Sequence, residues 1–293
     1  MAAPDITVVI PVWDAYVDRL PFALASVRKQ RVPVAVVVVD NASAIVVPET
    51  PRAVTLRLPE RRSVGAARNA GLATVSTSLV CFLDADDELL PGTLERLRAR
   101  LAARPSCIAS VAASVAWLEG SGETVSWRWP RPLAYRLCRH PRLFAAAASF
   151  RNQYPTTGAA LMRTEAMRGT GGFADADHEE DWLPGVALAA RGRVDLDPRP
   201  GRRYRVSDRS LYGAGADLAT MSANRRRLRR ALRRDPRTDV GWVTSGALAA
   251  FHLMSACLKV APQRRGHAGL LSASSSTRHA AHGPRQDAQL TPR

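Results

Sequence analysis

The stretch Leu79–Glu88, LVCFLDADDE, is an apolar run that ends in four acidic side chains. It predicts a buried strand that carries Asp84, Asp86 and Asp87 to its carboxyl end, where open α/β sheets place their ligands. Carboxylates crowded at one point repel each other, which points to a cation or an array of donors between them. Hard divalent ions take oxygen ligands, so the first hypothesis is a metal-assisted diphosphate site. The alternative is a solvated acidic loop.

The segments around this stretch predict an α/β domain. β-branched or apolar runs predict four strands, at Ile6–Ile10, Val34–Val39, Val54–Leu58 and Leu79–Leu83. Between and after them, three helices are predicted, at Leu20–Lys29, from a Ser63 cap to about Leu72, and from Pro91 to about Ala103. Strands that alternate with helices indicate a doubly wound sheet.

After Ser106 the pattern becomes mixed. Strands are predicted at Ile108–Trp117, Thr124–Trp129 and Ala159–Arg163, and a helix at Asp181–Arg191. We interpret this region as completing the same domain.

The charge of the chain is concentrated at its carboxyl-terminal end. The net charge of the 293 residues is +16, and residues 222–293 hold 14 Lys and Arg against three Asp and Glu. A basic nucleic-acid binder is disfavoured, because the excess lies mainly in this tail without interleaved aromatic residues. Four cysteines without metal spacing predict reduced thiols and a cytosolic setting. The amino terminus lacks a basic signal-peptide region, so its apolar run is interpreted as the first strand.

The tail itself has three parts. Arg225–Arg234 predicts a basic helix with one apolar face. The segment Val240–Leu258 contains no Asp, Glu, Lys or Arg, and we consider a spanning helix, an interfacial or partner-docking helix, and a packed or fraying helix. Residues 263–293 are predicted to be disordered. One hypothesis is that Arg225–Lys259 holds the chain peripherally on an anionic membrane; the alternative is a basic helix docked on the protein's own acidic patches.

Seven short motifs occur in a fixed order along the chain. They are VVIPVW (8–13), VVVVDNAS (36–43), GAARNAG (65–71), LDADD (83–87), TGAALMR (157–163), GGF (171–173) and EEDW (179–182). This order resembles family 2 glycosyltransferases of the GT-A fold, over roughly residues 5–210. The resemblance implies a GT-A type, doubly wound, mixed and mostly parallel sheet flanked by helices, with the basic helical segment as an extension. It also implies sugar transfer with inversion from a nucleotide-diphosphate sugar, assisted by Mn²⁺ or Mg²⁺.

The resemblance assigns donor-binding roles to five residues. Pro11 and Val12 would line the nucleotide pocket, and Asp40 would accept a hydrogen bond from the base. Arg68 would face the nucleotide. Asp84 would lie near the ribose and the metal.

Two further carboxylates receive roles in the reaction. Asp86 would bind the metal through the diphosphate, together with Asp84, and Asp181 would be the general base. A sugar hydroxyl is a poor nucleophile at neutral pH, so a positioned carboxylate is expected to take its proton. The dipole of the predicted helix should lower the pKa of Asp181, whereas Glu179 and Glu180 should raise it if they lie close. The sequence leaves that balance open.

Other interpretations stay open at these positions. Asp40 could cap a turn, Arg68 could be a surface cation, and Asp181 could be only a helix cap. Glu180 is a rival base, and Trp182 is either core or a sugar platform. The chain also departs from the family pattern: Tyr204-Arg205 is followed by Val206-Ser207-Asp208 where a His is frequent, so Asp208 is a candidate third metal ligand.

The sequence thus predicts a glycosyltransferase domain at 1–221, with a nucleotide-sugar half at about 1–105 and an acceptor half at about 106–221. An extension at 222–262 and a tail at 263–293 follow. The acceptor would be a glycan, a lipid-linked molecule or a small molecule, and no nucleic acid is expected. We expect a place in cell-envelope or polysaccharide biosynthesis, in the cytoplasm or on the cytoplasmic face of the membrane. The alternative is a non-catalytic nucleotide-sugar-binding or assembly subunit that keeps the fold.

Overall fold

The computed structural model of the chain describes residues 3–127 and 130–207. Within them, nine strands form one mixed sheet with helices packed on both faces. The predicted extension and tail, the segment 240–258, Cys257 and the candidate ligand Asp208 lie outside the described residues. The division of the chain into domains therefore stays a prediction.

The elements follow one another in an α/β order. The strands are β1 (Ile6–Val12), β2 (Val34–Asp40), β3 (Ala53–Arg57), β4 (Leu79–Phe82), β5 (Glu88–Leu89), β6 (Cys107–Leu118), β7 (Thr124–Trp127), β8 (Ala160–Arg163) and β9 (Arg193–Val206). The α-helices are α1 (Leu20–Arg28), α2 (Val64–Thr74), α3 (Thr93–Ala102), α4 (Pro132–Leu137), α5 (Pro141–Phe150), α6 (Thr164–Gly169) and α7 (Trp182–Arg191).

The strand order is β3-β2-β1-β4-β8-β6-β9-β5, with β7 paired to β6. Strands β1 to β4 are parallel, as the sequence predicts, and β6 is parallel to β9. Strand β8 is antiparallel to both β4 and β6. The mixed α/β fold is confirmed, but parallel and antiparallel pairings are equal in number among the described strands. The share of antiparallel pairs is therefore larger than predicted, since a mostly parallel sheet was expected.

Strand β1 continues through Pro11, beyond its predicted end at Ile10. The carbonyl of Val9 accepts from Leu83 N on the β4 side, and the carbonyl of Val12 accepts from Asn41 N on the β2 side. The backbone polar groups of alternate β1 residues thus point to β4 and to β2 in turn. The nitrogen of Pro11 points to the β4 side, beyond the last paired residues of β1 and β4, which are Val9 and Phe82. The missing N–H of Pro11 costs no ladder hydrogen bond there.

Helix α2 lies unusually close to the sheet. Its predicted cap is confirmed, since Ser63 Oγ accepts from Ala66 N at 3.1 Å. Gly71 lies inside the helix, which continues to Thr74. A Cβ at Gly71 would stand 2.4 Å from Val9 Cγ1 and 2.9 Å from Val39 Cγ2, so only glycine permits this approach.

The central strands β1 and β4 are buried on both faces, as expected for parallel strands between helices, whereas the edge strand β3 is largely exposed. Residues of one parity, such as Val9 and Phe82, pack with α2, α5 and α7. Residues of the other parity, such as Val8 and Cys81, pack with α1 and α3. The described cysteines are free. No helix in the described ranges is long and apolar enough to cross a bilayer.

Several elements differ from the prediction. Helix α3 begins at Thr93, not in the turn of Pro91, because Gly92 at φ 74° precedes it as the cap residue. Helix α7 begins at Trp182, and Asp181 is its cap residue. Strand β7 is described to Trp127, and residues 128 and 129 lie outside the described ranges. Strands β5 and β9 and helix α6 have no counterpart in the prediction.

Candidate functional site

The acidic residues after β4 form a tight turn at the carboxyl ends of the parallel strands. We call residues Asp84–Asp87 the acidic turn; Asp87 N donates to the Asp84 carbonyl at 3.1 Å and closes it. The Asp84 side chain is 26% exposed and Asp86 is half-buried, whereas Asp87 is fully buried. Strand β4 therefore delivers three carboxylates to one place, as the sequence predicts.

A buried arginine joins the acidic turn to the segment that holds Asp181. Arg68, on α2, donates to Asp84 Oδ1 at 2.5 Å and to Glu180 Oε1. Burial opposes a charged guanidinium, but the Asp84 and Glu180 carboxylates outweigh it and raise the pKa of Arg68. We call these three residues the Arg68 bridge. Arg68 is 3% exposed, so it is not a surface cation.

Other contacts of α2 hold the loop before Asp181. Asn69 donates to the Phe173 carbonyl at 3.0 Å and accepts from Phe173 N at 2.8 Å. At the amino end of α2, Val64 N donates to Asp177 Oδ1 at 3.0 Å and Gly65 N to the Ala176 carbonyl at 3.2 Å. With the Arg68–Glu180 contact, the helix thus holds both ends and the middle of the loop from 173 to 180.

The Asp86 carboxylate makes no direct ion pair with the described residues, although Arg202 and Arg205 lie near it. No ion pair within 4.0 Å reaches its carboxylate from the described part of the chain. Burial, and then the nearby Asp84 carboxylate, raise the pKa of Asp86 to about 7. A bound cation would favour the charged carboxylate and lower this pKa. These oxygen donors fit Mg²⁺ or Mn²⁺. No three His, Cys, Asp or Glu side chains converge on a metal position within 3–127 and 130–207, so phosphate or water oxygens would have to complete the coordination.

Asp181 is held at the amino end of α7. Its Oδ1 accepts from Asn152 Nδ2 at 3.2 Å, and its carbonyl accepts from Thr156 Oγ1 at 3.1 Å. Its side chain does not cap the helix. Burial, followed by the Glu180 carboxylate, raises the pKa of Asp181 to about 7. The pKa of Asp181 is thus raised, and burial, followed by the Glu180 carboxylate, is the main cause.

Glu180, the rival base, differs from Asp181 in its partners. It is 8% exposed and its carboxylate is engaged by Arg68. Burial raises the pKa of Glu180 although Arg68 opposes the shift. Trp182 is 1% exposed and its Nε1 donates to the Ala148 carbonyl at 2.5 Å, so this ring belongs to the core and offers no sugar platform.

The predicted base-binding residue lies in a structured turn. Asp40 Oδ1 accepts from Ser43 N at 2.9 Å, and Oδ2 accepts from Arg57 Nη1 at 2.5 Å. Asp40 thus caps a turn, and its carboxylate also holds an arginine. Contact with a base stays a prediction, since each carboxylate oxygen has two lone pairs.

The neighbouring end of β1 forms the wall of the same region. Pro11 and Val12 are buried there beside Val39 and Asp40 of β2. Trp13 follows, with the guanidinium carbon of Arg61 3.5 Å from its ring centroid. The structure therefore brings Pro11, Val12 and Asp40 to one edge of the sheet. The Arg68 bridge connects Asp84, in the turn that also holds Asp86, to Glu180, which directly precedes Asp181.

Two further arginines of the site come from β9. Arg202 and Arg205 are each 6% exposed and both contact the acidic turn. In the sequence Arg205 stands out only as part of a Tyr-Arg pair, and nothing marks Arg202 as a site residue. Pro198 and Pro200 lie in the same strand as these arginines, and prolines are unusual inside a strand, so the sequence did not predict β9.

Comparisons with known proteins agree with this architecture. The model of the family described as Glycosyl transferase family 2 matches residues 7–167. The chain is 28% identical over 222 residues to the succinoglycan biosynthesis protein ExoO of Rhizobium meliloti (strain 1021), covering 71% of this chain and 62% of that protein. It is 28% identical over 270 residues to the pre-mycofactocin glycosyltransferase of Mycobacterium tuberculosis (strain CDC 1551 / Oshkosh), covering 86% and 53%. The chain thus spans less than two thirds of the length of each relative.

A solved structure shares the fold. The mannosyltransferase PcManGT from Pyrobaculum calidifontis, in complex with GDP-Man and Mn²⁺, is similar with a TM-score of 0.56 and 20% identity. The match covers 94% of this chain and 81% of that one.

Proposed function

This chain belongs to glycosyl transferase family 2, and from that premise we propose that it moves a sugar from a nucleotide-diphosphate sugar to an acceptor hydroxyl. The reaction we propose is a metal-assisted single displacement with inversion at the sugar. The observation that carries the proposal is the Arg68 bridge, which ties the candidate metal-holding turn to the segment that bears the candidate base.

The acidic turn would serve the leaving group. Asp84 and Asp86 would hold a divalent cation, which when bound stabilises the negative charge of the departing diphosphate without a proton transfer. Asp84 is already oriented by Arg68, and the Asp86 carboxylate has no ion pair within 4.0 Å among the described residues. Pro11, Val12 and Asp40 would hold the nucleoside at the adjacent strand edge.

Asp181 would act on the acceptor. A carboxylate with a pKa near 7 is matched to taking a proton at neutral pH, which typically contributes about 10²–10⁴-fold in rate. Asn152 orients one oxygen of Asp181 and leaves the other for the acceptor hydroxyl. Glu180 is less suited as the base, because its carboxylate is committed to Arg68.

The relatives suggest where this reaction is used. The named role of one relative in succinoglycan biosynthesis supports a place in polysaccharide biosynthesis. The GDP-Man and Mn²⁺ named with the similar structure support a nucleotide-sugar donor and a divalent cation. We extend these only to the chemical class: a nucleotide-diphosphate sugar donor, and a glycan, lipid-linked or small-molecule acceptor. The proposed location is the cytoplasm or the cytoplasmic face of a membrane.

Ligand-induced stabilisation tests this function. Nucleoside diphosphates are screened by thermal shift with and without Mn²⁺, since a ligand that binds only the folded state raises its stability. We expect at least one to raise the melting temperature in a Mn²⁺-dependent manner, and Asp86→Ala to lose that Mn²⁺ dependence while melting normally without ligand. Absence of any shift in the wild type would contradict the proposal.

A turnover assay separates the enzyme from a non-catalytic relative. Purified protein is incubated with a panel of nucleotide sugars and Mn²⁺, and free nucleoside diphosphate is measured. The enzyme should release the diphosphate slowly in a metal-dependent way. Binding without any release, with acceptors supplied, would favour a nucleotide-sugar-binding or assembly subunit.

A further inference from the structure

Asp87 differs from the other carboxylates of the acidic turn. It is 0% exposed, and both of its oxygens are occupied by β9. Oδ1 accepts from the backbone N–H of Arg205 at 3.1 Å, and Oδ2 accepts from Arg202 Nη1 at 3.1 Å. Because both oxygens accept hydrogen bonds inside the protein, we interpret this carboxylate as a structural group rather than a ligand contact.

The guanidinium that meets Asp87 is itself fixed. Arg202 Nε donates to Ser114 Oγ of β6 at 3.1 Å, and the guanidinium carbon lies 5.1 Å from the Tyr204 ring centroid. Arg202 packs directly on Gly158, which has φ 76°, and a Cβ there would stand 2.2 Å from Arg202 Cδ. The sheet therefore provides a shaped slot for the arginine.

A second arginine holds the main chain of the turn. Arg205 Nε donates to the carbonyl of Asp86 at 3.0 Å. Its guanidinium carbon lies 4.5 Å from the Trp117 ring centroid, and its other nitrogens reach Glu119 at 3.4 Å and Glu88 at 3.6 Å. We call three hydrogen bonds the β9 clamp: those from Arg202 Nη1 and Arg205 N to the Asp87 carboxylate, and that from Arg205 Nε to the Asp86 carbonyl.

We propose that Asp87 is a positioning residue, which fastens the acidic turn to β9 so that Asp84 and Asp86 stay directed at one cation. Like-charged carboxylates held close tend to separate. A turn anchored by its main chain and by a buried third carboxylate resists that separation before the cation arrives. Partners that orient ligands in this way typically alter metal affinity by about 10–100-fold. The inference rests on the proposed function, because it concerns the same cation.

Calorimetric titration tests the proposal directly. The Mn²⁺ concentration that half-saturates binding of the nucleoside diphosphate is compared between wild type and Asp87→Asn. Asparagine keeps an acceptor for Arg205 N–H but removes the charge that Arg202 needs. We expect the half-saturating Mn²⁺ concentration to rise about 10–100-fold, while affinity for the nucleotide without metal stays unchanged.

Glu88→Gln is the matched control. It removes one charge from the next residue, which also faces Arg205 but at 3.6 Å and from a half-buried side chain. It should shift the half-saturating concentration less than about threefold, within what a surface ion pair contributes. Equal Mn²⁺ dependence in Asp87→Asn and the wild type would overturn the inference. Absence of Mn²⁺-dependent binding in the wild type would instead contradict the proposed function.

A second pair of variants keeps the test decisive if Asp87→Asn does not fold. Arg202→Lys keeps the buried cation, and Arg202→Met removes it. The positioning role predicts weaker Mn²⁺ dependence in Arg202→Met and near-normal dependence in Arg202→Lys. If Asp87 were instead a metal ligand, freeing it in Arg202→Met would leave Mn²⁺ binding unchanged or tighter, and that result would overturn the proposal.

Discussion

Arg68→Met should destabilise the fold strongly, because it removes the centre of the Arg68 bridge. Methionine keeps most of the volume but leaves Asp84 and Glu180 without their cation. Each hydrogen bond to a charged group contributes about 1.5–3 kcal/mol, and breaking a buried pair costs about 3–5 kcal/mol. The two hydrogen bonds of Arg68 would together contribute about 3–6 kcal/mol. Since Asp84 is 26% exposed and water recovers part of this, we expect a loss of about 3–5 kcal/mol. That is a large share of the ~5–15 kcal/mol typical of a folded domain.

Urea unfolding followed by circular dichroism at pH 8 measures this loss. Arg98→Met is the control: Arg98 pairs with Asp5 at 2.7 Å, but the two side chains are 48% and 37% exposed, so a loss of about 0–1 kcal/mol is expected. In a Glu180→Gln background, Arg68→Met should cost less than in the wild type, because one buried charge has already been removed. A loss at Arg68 no larger than at Arg98 would refute the bridge as a stabilising element.

The remaining expectations concern the base, the sheet and the tail. Asp181→Asn should lower turnover about 10²–10⁴-fold with little change in donor affinity; a larger loss in Glu180→Gln would transfer the role to that residue. The pKa of Asp181 is about 7 in the folded protein against a usual 3.8, so ionisation of Asp181 opposes folding and stability is lost as the pH rises between these values. In unfolding experiments from pH 4 to 8, the free energy of unfolding of Asp181→Asn should therefore increase relative to that of the wild type. Turnover of the wild type should rise with pH up to about 7. Gly71→Ala should destabilise by about 1–3 kcal/mol in urea unfolding, through overpacking against Val9. Full-length protein should float with anionic vesicles at low salt, whereas a variant that ends at Met221 should not; equal behaviour would exclude membrane attachment through the tail.

The first half of the fold could be predicted because its strands are rich in β-branched residues. The run Val34–Val39 predicts β2, whose residues from Val37 onward are buried, and Ser63 is a cap with an ordinary sequence signal. Strand β9 could not be predicted, since it contains two prolines and five arginines. Register shifts in its pairing with β6 accommodate the prolines.

The arginines of the site are buried because they form ion pairs, not because they are hydrophobic. This is why their burial could not be predicted from the sequence. Arg202 and Arg68 are buried because carboxylates meet them inside the protein, and nothing in the local sequence of either residue announces its partner. Arg68 and Glu180 are separated by 112 positions in the chain. The motifs could nominate Asp84 and Asp181, but the arginine that connects their segments becomes evident only in the folded chain.

The β9 clamp also has a consequence for the order of events during synthesis. The partners of the acidic turn follow it by 115 to 119 residues. At a typical elongation rate of roughly 5–20 residues per second, the ribosome releases the turn several seconds before Arg202 and Arg205 are made. Throughout that interval Asp87 has neither partner and stays hydrated. On the nascent chain, the closing strand therefore determines when the cation position comes into existence, and every shorter translation product lacks it.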